Sequence, residues 1–204
     1  MVPGAAVAWA VMDRGVRALN TRDIVYIALF AALLAALGMF PPIFLPVLGV
    51  PITAQTLGVM LAGSVLGARR GGLAVLLFLV LVAAGVPILA GGRGGFGVFL
   101  GPSGGFLLAW PVCAFFIGLM VERTWRRLSY INAFVINAMG GVFLLYAFGV
   151  PWVAFSTEIG LWKAFMGSMG FVPGDIIKAM IAAYVAVTLK RAYPIIEARS
   201  RTAE

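Results

Sequence analysis

The sequence predicts an all-α membrane protein, a bundle of six transmembrane helices with both termini in the cytoplasm. Three observations carry that expectation. The first is composition: of 204 residues, 63% are hydrophobic and 11% charged, with a mean hydropathy of +1.07. A soluble domain is about half apolar and about a quarter charged. One globular core cannot hide that much apolar surface, so lipid is the solvent. The second is a set of six apolar runs, each bounded by charges or by Pro and Gly. The third is where the cations fall. Of the 15 Lys and Arg, all but Arg93, Lys163 and Lys178 lie before the first run, in the turns after the second and fourth, or after the sixth. The positive-inside rule puts those four segments in the cytoplasm. The whole chain reads as a single integral-membrane domain, 1–204, with a cytoplasmic segment at 1–23, the bundle over 24–190 and a cytoplasmic tail at 191–204. Residues 1–21 carry Asp13, Arg14 and Arg17 in no cleavable-signal pattern, so the first span is expected to act as its own insertion signal.

The first run, 24–40, stops at Pro41-Pro42. It carries Ala28, Ala32 and Ala36, a stripe of small residues that lets a neighbouring helix approach closely. That neighbour is either inside the bundle or on a partner chain. The second run, 52–67, stops at Arg69-Arg70. Pro51 falls at its expected start, and Thr53, Gln55 and Thr56 put two hydroxyls and an amide in its first turns. Thr53 suits either capping of exposed N–H groups or a ligand contact. Gln55 is hard to explain by capping and is the better ligand candidate. The third run, 72–88, breaks at Pro87. The fourth, 104–121, ends at Glu122-Arg123 and contains the single cysteine, Cys113, expected to pack in the core. The fifth, 131–150, ends before Pro151. In the following connection, Ile159, Trp162 and Phe165 are spaced to line one side of a short interfacial helix, as a cap or a gate.

The sixth run, 173–189, opens within FVPGDIIKAM and ends at Lys190-Arg191. Asp175 and Lys178, three residues apart, share a helix face. A charge at the centre of a membrane helix costs on the order of 2.5–3.5 kcal/mol on insertion scales. Pairing lowers that cost, and the helix N-terminus favours the carboxylate. Such a pair is either mutually neutralised near the interface or lines a cavity, and intramembrane ionisable residues usually do the latter.

Between the third and fourth runs lies AGGRGGFGVFLGPSGG, where Gly92, Gly94 and Gly97 spell G-x-G-x-x-G. A dinucleotide loop needs a strand before it and a helix after it in a soluble βαβ unit. Here a membrane helix precedes the glycines and the topology puts them outside, away from cytoplasmic nucleotides. The glycines are expected to give close backbone approach to a ligand and freedom for a lid. The outer connections are long and the inner ones short, which points to a site for something arriving from outside. Arg93, Gly97, Phe99 and Ser103 from this stretch join the candidate site. Phe96, Phe99, Phe106 and Trp110 read either as its apolar walls or as ordinary core and lipid-facing residues.

With no histidine in the chain, Ser–His and Cys–His nucleophile pairs and histidine metal sites are excluded. No Walker A pattern occurs in the cationic turns. The net charge of +8 follows membrane topology rather than nucleic acid. The expectation is a binding and transport component without catalysis, metal or cofactor.

Three segments together, VPITAQTLGVMLAGSVLGARRGGLAVLLFLVL, AGGRGGFGVFLGPSGGFLLAWP and FVPGDIIKA, closely resemble the BioY family. These are the biotin-binding substrate-capture (S) components of energy-coupling-factor transporters. The resemblance covers roughly 24–190. It implies a vitamin pocket beneath the outer loops, in the cell membrane of a bacterium or archaeon. It also implies docking, through the alanine-rich first helix, onto a transmembrane coupling (T) protein driven by two ATPase subunits. That gives Ala28, Ala32 and Ala36 a partner. The aspartate and lysine of the family's P-G-D-x-x-K motif belong to the biotin site, and here they are Asp175 and Lys178. Asp175 is expected to meet the ureido N–H groups, and Lys178 a ligand oxygen or Asp175 itself. Arg93, where family loops often carry another residue, either meets the biotin carboxylate or is a solvated loop cation. Self-association stays open. The rival readings are an S component for another vitamin and a small proton-coupled transporter using Asp175.

Overall fold

The computed structural model describes residues 19–44, 50–192 and 195–196; Asp13, Arg14, Arg17, Arg199, Arg201 and the centre of the FPPIFLPVLGVP connection lie outside them. The described chain is mostly helical. Helices α1 (Thr21–Leu37), α2 (Gln55–Leu66), α3 (Ala68–Ala83) and α4 (Gly104–Thr124) precede α5 (Tyr130–Ala138), α6 (Leu145–Thr157), α7 (Leu161–Ser168) and α8 (Val172–Ala192). A π turn, Met139–Leu144, joins α5 to α6 without a break. Two short antiparallel strands, β1 (Ile43–Phe44) and β2 (Pro51–Ile52), pair Ile43 with Ile52 and Phe44 with Pro51.

Each predicted run supplies a helical segment, with differences in where the segments begin and end. Pro51 lies in β2 rather than at a helix start, and α2 begins only at Gln55, with Ala54 before it and no side-chain cap. Thr53 therefore does not cap. The fifth span runs through Pro151 to Thr157 and closes on Glu158 in the left-handed region, φ 56°. A proline removes one helical N–H, but a helix braced by its neighbours continues past it. The Gly140-Gly141 pair explains the π turn at the same span's centre. A Cβ on Gly141 would collide with Met60, and one on Gly140 with Ile117, so only glycine lets this backbone press against α2 and α4.

Helix α4 stands at the centre, packed on α2, α3 and α6, while α1 lies against α2 and α3, and α8 against α2 and α5. Among the described residues, the helical stretches Gly104–Arg127, Tyr130–Thr157 and Leu161–Ala192 are long and apolar enough to cross a membrane. With 12 residues, α2 reaches only about 18 Å at 1.5 Å per residue, short of a hydrocarbon core of about 30 Å. The residues that would have formed its first turn belong instead to β2 and to a cavity behind it. Outward faces carry large apolar side chains such as Leu29, Phe115, Phe143 and Phe155, an arrangement suited to lipid and costly in water.

The two ends of the bundle differ. At one end Asn20 and Asp23 form a reciprocal capping box on α1, and Asp23 pairs with Arg70 Nε of α3 at 2.7 Å. Glu122 of α4 accepts from the Ala68 N–H at 2.8 Å, and Lys190 stands 5.5 Å over the Trp125 ring. The cationic turns of the sequence thus meet there and are tied by charge. The opposite end carries the strand pair, the glycine stretch and α7.

Candidate ligand-binding site

At the loop end a cavity of about 550 Å³, counted to its open mouth, lies among β2, α2, α4, α6, α8 and the glycine stretch. Its walls are largely apolar, with Leu89, Phe106, Leu107, Trp110 and Phe171 among them, and its polar groups are few and clustered.

The cluster centres on Asp175, 4% exposed, in the first turn of α8. Lys178 Nζ donates to Asp175 Oδ1 at 2.9 Å and to Thr56 Oγ1 at 2.9 Å. Thr56 Oγ1 lies 3.3 Å from the same Oδ1. On the other side Tyr146 of α6 donates its O–H to Oδ2 at 2.7 Å. Three helices therefore converge on one carboxylate. A buried charge is tolerable only when paired and hydrogen-bonded, and here both conditions hold. Lys178 has three N–H donors, two of them spent on these partners, so one remains for a molecule in the cavity. The cavity walls combine a carboxylate that accepts N–H groups with donors that hold a carbonyl or carboxylate.

Gln55 is 1% exposed and lines the cavity, yet its amide is committed elsewhere. Its Nε2 donates to Leu34 O of α1 at 3.0 Å and to Ile88 O at 3.1 Å, while Oε1 accepts the Ala90 N–H at 3.0 Å. Both donors are used. The side chain ties α1 and the start of the glycine stretch to α2.

Arg93 also faces the cavity. A bridge between Leu89 and Arg93, with the Leu89 N–H donating to Arg93 O at 3.0 Å, turns the chain there. Gly91 and Gly92 take φ values of 79° and 69° inside that turn, where L side chains are strained. The G-x-G-x-x-G match is thus a tight turn, with no strand–helix phosphate loop around it. The Arg93 Nε donates to Ala90 O at 3.2 Å, partial burial pulls the guanidinium below its ordinary value, and no carboxylate of the described residues forms an ion pair with it. With Lys178 balanced by Asp175, Arg93 leaves the cavity one positive charge in excess.

Of the other sequence candidates, Thr53, Thr56 and Ser103 line the cavity with Phe106 and Trp110. Gly97 and Phe99 do not. Gly97 is exposed, Phe99 packs into the core, and its ring lies 6.1 Å from the exposed Phe96. Ala28, Ala32 and Ala36 are exposed on the outer face of α1, so the stripe is not spent on packing within the bundle. Trp162 and Phe165 of α7 stack at 6.0 Å and are exposed. Tyr146 and Phe171 join the site without having been singled out in the sequence. Among the described residues no three Cys, Asp or Glu side chains gather as a metal site.

The BioY family model matches residues 12–195. The chain belongs to the BioY family. It is 48% identical over 187 residues to the biotin transporter BioY of Rhizobium etli, covering 89% of this chain and 100% of that one. It is 46% identical over 182 residues to the biotin transporter BioY of Rhodobacter capsulatus, covering 85% and 95%. Among solved structures it matches the S-component for biotin from an ECF-type ABC transporter, with a TM-score of 0.81 at 33% identity over 85% of this chain and 95% of the other. The three-motif resemblance read in the sequence is thereby met, and the BioY relatives are named as transporters rather than enzymes. Like them, this chain is a membrane protein.

Proposed function

We propose that the chain is the biotin-capturing S component of an energy-coupling-factor transporter, taking up the vitamin across the cell membrane of a bacterium or archaeon. One observation carries the proposal: a largely apolar cavity holding a hydrogen-bonded Asp175–Lys178–Thr56–Tyr146 cluster and a separate, unneutralised Arg93. Biotin has a fused ring that is half apolar, a urea that both donates and accepts, and a tail ending in one negative charge. The urea N–H groups suit Asp175, the free N–H of Lys178 suits the urea oxygen, and the carboxylate suits Arg93. Thr53 and Ser103 complete the polar rim.

The cation distribution supports six spans with both termini in the cytoplasm, which opens the cavity to the outside. The exposed Ala28, Ala32 and Ala36 face supports docking on a T protein, and ATP hydrolysis on two separate ATPase subunits supplies the energy. The test is isothermal titration of the purified protein with biotin, with thiamine and riboflavin as controls. A saturable heat for biotin alone is expected. Absence of biotin heat at micromolar protein rejects the reading, and heat from another vitamin reassigns the substrate.

A further inference from the structure

Trp110 lies on the face of α4 that lines the cavity, two turns along the helix from Ser103 and so well away from the glycine stretch. It is 4% exposed, and its ring is held against Phe78 with centroids 6.2 Å apart. Its Nε1–H has no acceptor among the described residues. Buried indole N–H groups ordinarily find a partner, and nearby Trp152 does so, donating to Gly101 O at 3.0 Å. Among the described residues, the other buried side-chain atom without a hydrogen-bond partner, Asp23 Oδ1, is ion-paired to Arg70. Trp110 therefore belongs to the lining of the site and carries a buried donor that the fold itself leaves uncompensated.

We propose that Trp110 is a ligand-binding residue whose indole N–H donates to the urea oxygen of the bound ligand. The inference rests on the biotin reading above and adds to it. With the carboxylate on Arg93, the ring end of the molecule lies toward α4 and α8. Two acceptors exist at that end, the urea oxygen and the ring sulfur. A thioether accepts weakly, whereas a carbonyl oxygen has two lone pairs. The remaining N–H of Lys178 takes one and the Trp110 N–H takes the other, so the urea is held through an N–H group on Asp175 and both lone pairs of its oxygen. The resulting preference is for cyclic ureas over rings without a carbonyl.

The test is Trp110→Phe, which keeps an aromatic ring and removes the donor, titrated with biotin and with dethiobiotin, which retains the urea and lacks the sulfur. Both ligands should bind about tenfold more weakly to the variant, the loss of a single hydrogen bond. The ligand-free variant should melt somewhat lower, through loss of part of a buried ring and not of a hydrogen bond within the fold. Unchanged affinity for both ligands overturns the assignment. A loss for biotin without a loss for dethiobiotin overturns the urea contact in favour of sulfur. Where the variant does not fold, the wild-type protein labelled with 15N-tryptophan answers instead. Biotin should move one of the five indole N–H resonances downfield and slow its exchange with water, the resonance being assigned by replacing the other tryptophans in turn. Absence of any such shift overturns the proposal. A wild-type protein that gives no heat with biotin rejects the ligand itself, an outcome distinct from a wild-type heat that Trp110→Phe preserves.

Discussion

Asp175 shows how one carboxylate organises a site inside an apolar protein. It receives donors from Lys178 on its own helix, Thr56 on α2 and Tyr146 on α6. No ligand is needed to make its burial tolerable, and the residue lines the cavity. Asp175→Asn keeps the shape but replaces an oxygen by an N–H₂ that cannot accept, and leaves Lys178 without its counter-charge. Biotin affinity should fall well over tenfold, more than about 1.4 kcal/mol, in a protein that still folds; unchanged affinity in titration calorimetry would make the pair purely structural. Tyr146→Phe removes one donor from the same carboxylate, for a smaller loss of about three- to tenfold. The two charges were legible in the sequence because a membrane span rarely carries an ionisable group without a use for it. Tyr146 was not. A tyrosine in an apolar run looks like any other aromatic, and only the packing of α6 across the bundle brings its hydroxyl to Asp175, 29 residues away. Trp110 was visible as a wall aromatic, but its lone N–H appears only once every neighbour has been placed.

At the scale of elements, the second span is the informative one. Its apolar run suggested a helix from 52, but the strand pair claims Pro51–Ile52 and the helix starts at Gln55. Shortening α2 opens room for the cavity and places Gln55 where one amide reaches two other elements. Gly38, at the end of α1, completes that junction: a Cβ there would strike Ile88 O and the Gln55 amide. Sequence spacing identified Gln55 as more than a cap yet could not name its partners, since they are backbone groups 21, 33 and 35 residues away. Gln55→Met fills similar space without hydrogen bonds and leaves the buried Ala90 N–H unsatisfied, at a cost of about 1–3 kcal/mol. In the ligand-free protein, amide exchange at Ala90 should accelerate. Biotin affinity should fall about tenfold, because Arg93 hangs from the same turn. A drop in affinity with Ala90 exchange unchanged would instead mark Gln55 as a direct ligand contact.

For the whole molecule the question is how capture at one surface becomes uptake. The described bundle holds a site at its loop end and a cationic, ion-paired opposite end, and its remaining distinctive surface is the outer side of α1. There Ala32 and Ala36 lie exposed in a shallow apolar groove that Leu61 and Val65 of α2 and Leu189 of α8 help to line. Small side chains leave that groove open to a second helix, the geometry that close van der Waals packing in lipid requires. On the proposed function this is where the T protein seats, and the cavity and the groove are then separate surfaces that substitution can uncouple. Ala32→Trp fills the groove from an exposed position and touches nothing in the cavity. It should leave biotin affinity within about twofold of wild type, since exposed substitutions of this kind perturb stability little. In cells supplying the coupling protein and ATPases, its biotin uptake should fall more than tenfold. Co-purification of the coupling protein with the variant should fall in parallel. Uptake that persists with Ala32→Trp, or that proceeds in cells lacking ATPases and stops when the proton gradient is collapsed, would replace the S-component mechanism with a self-sufficient carrier working through Asp175.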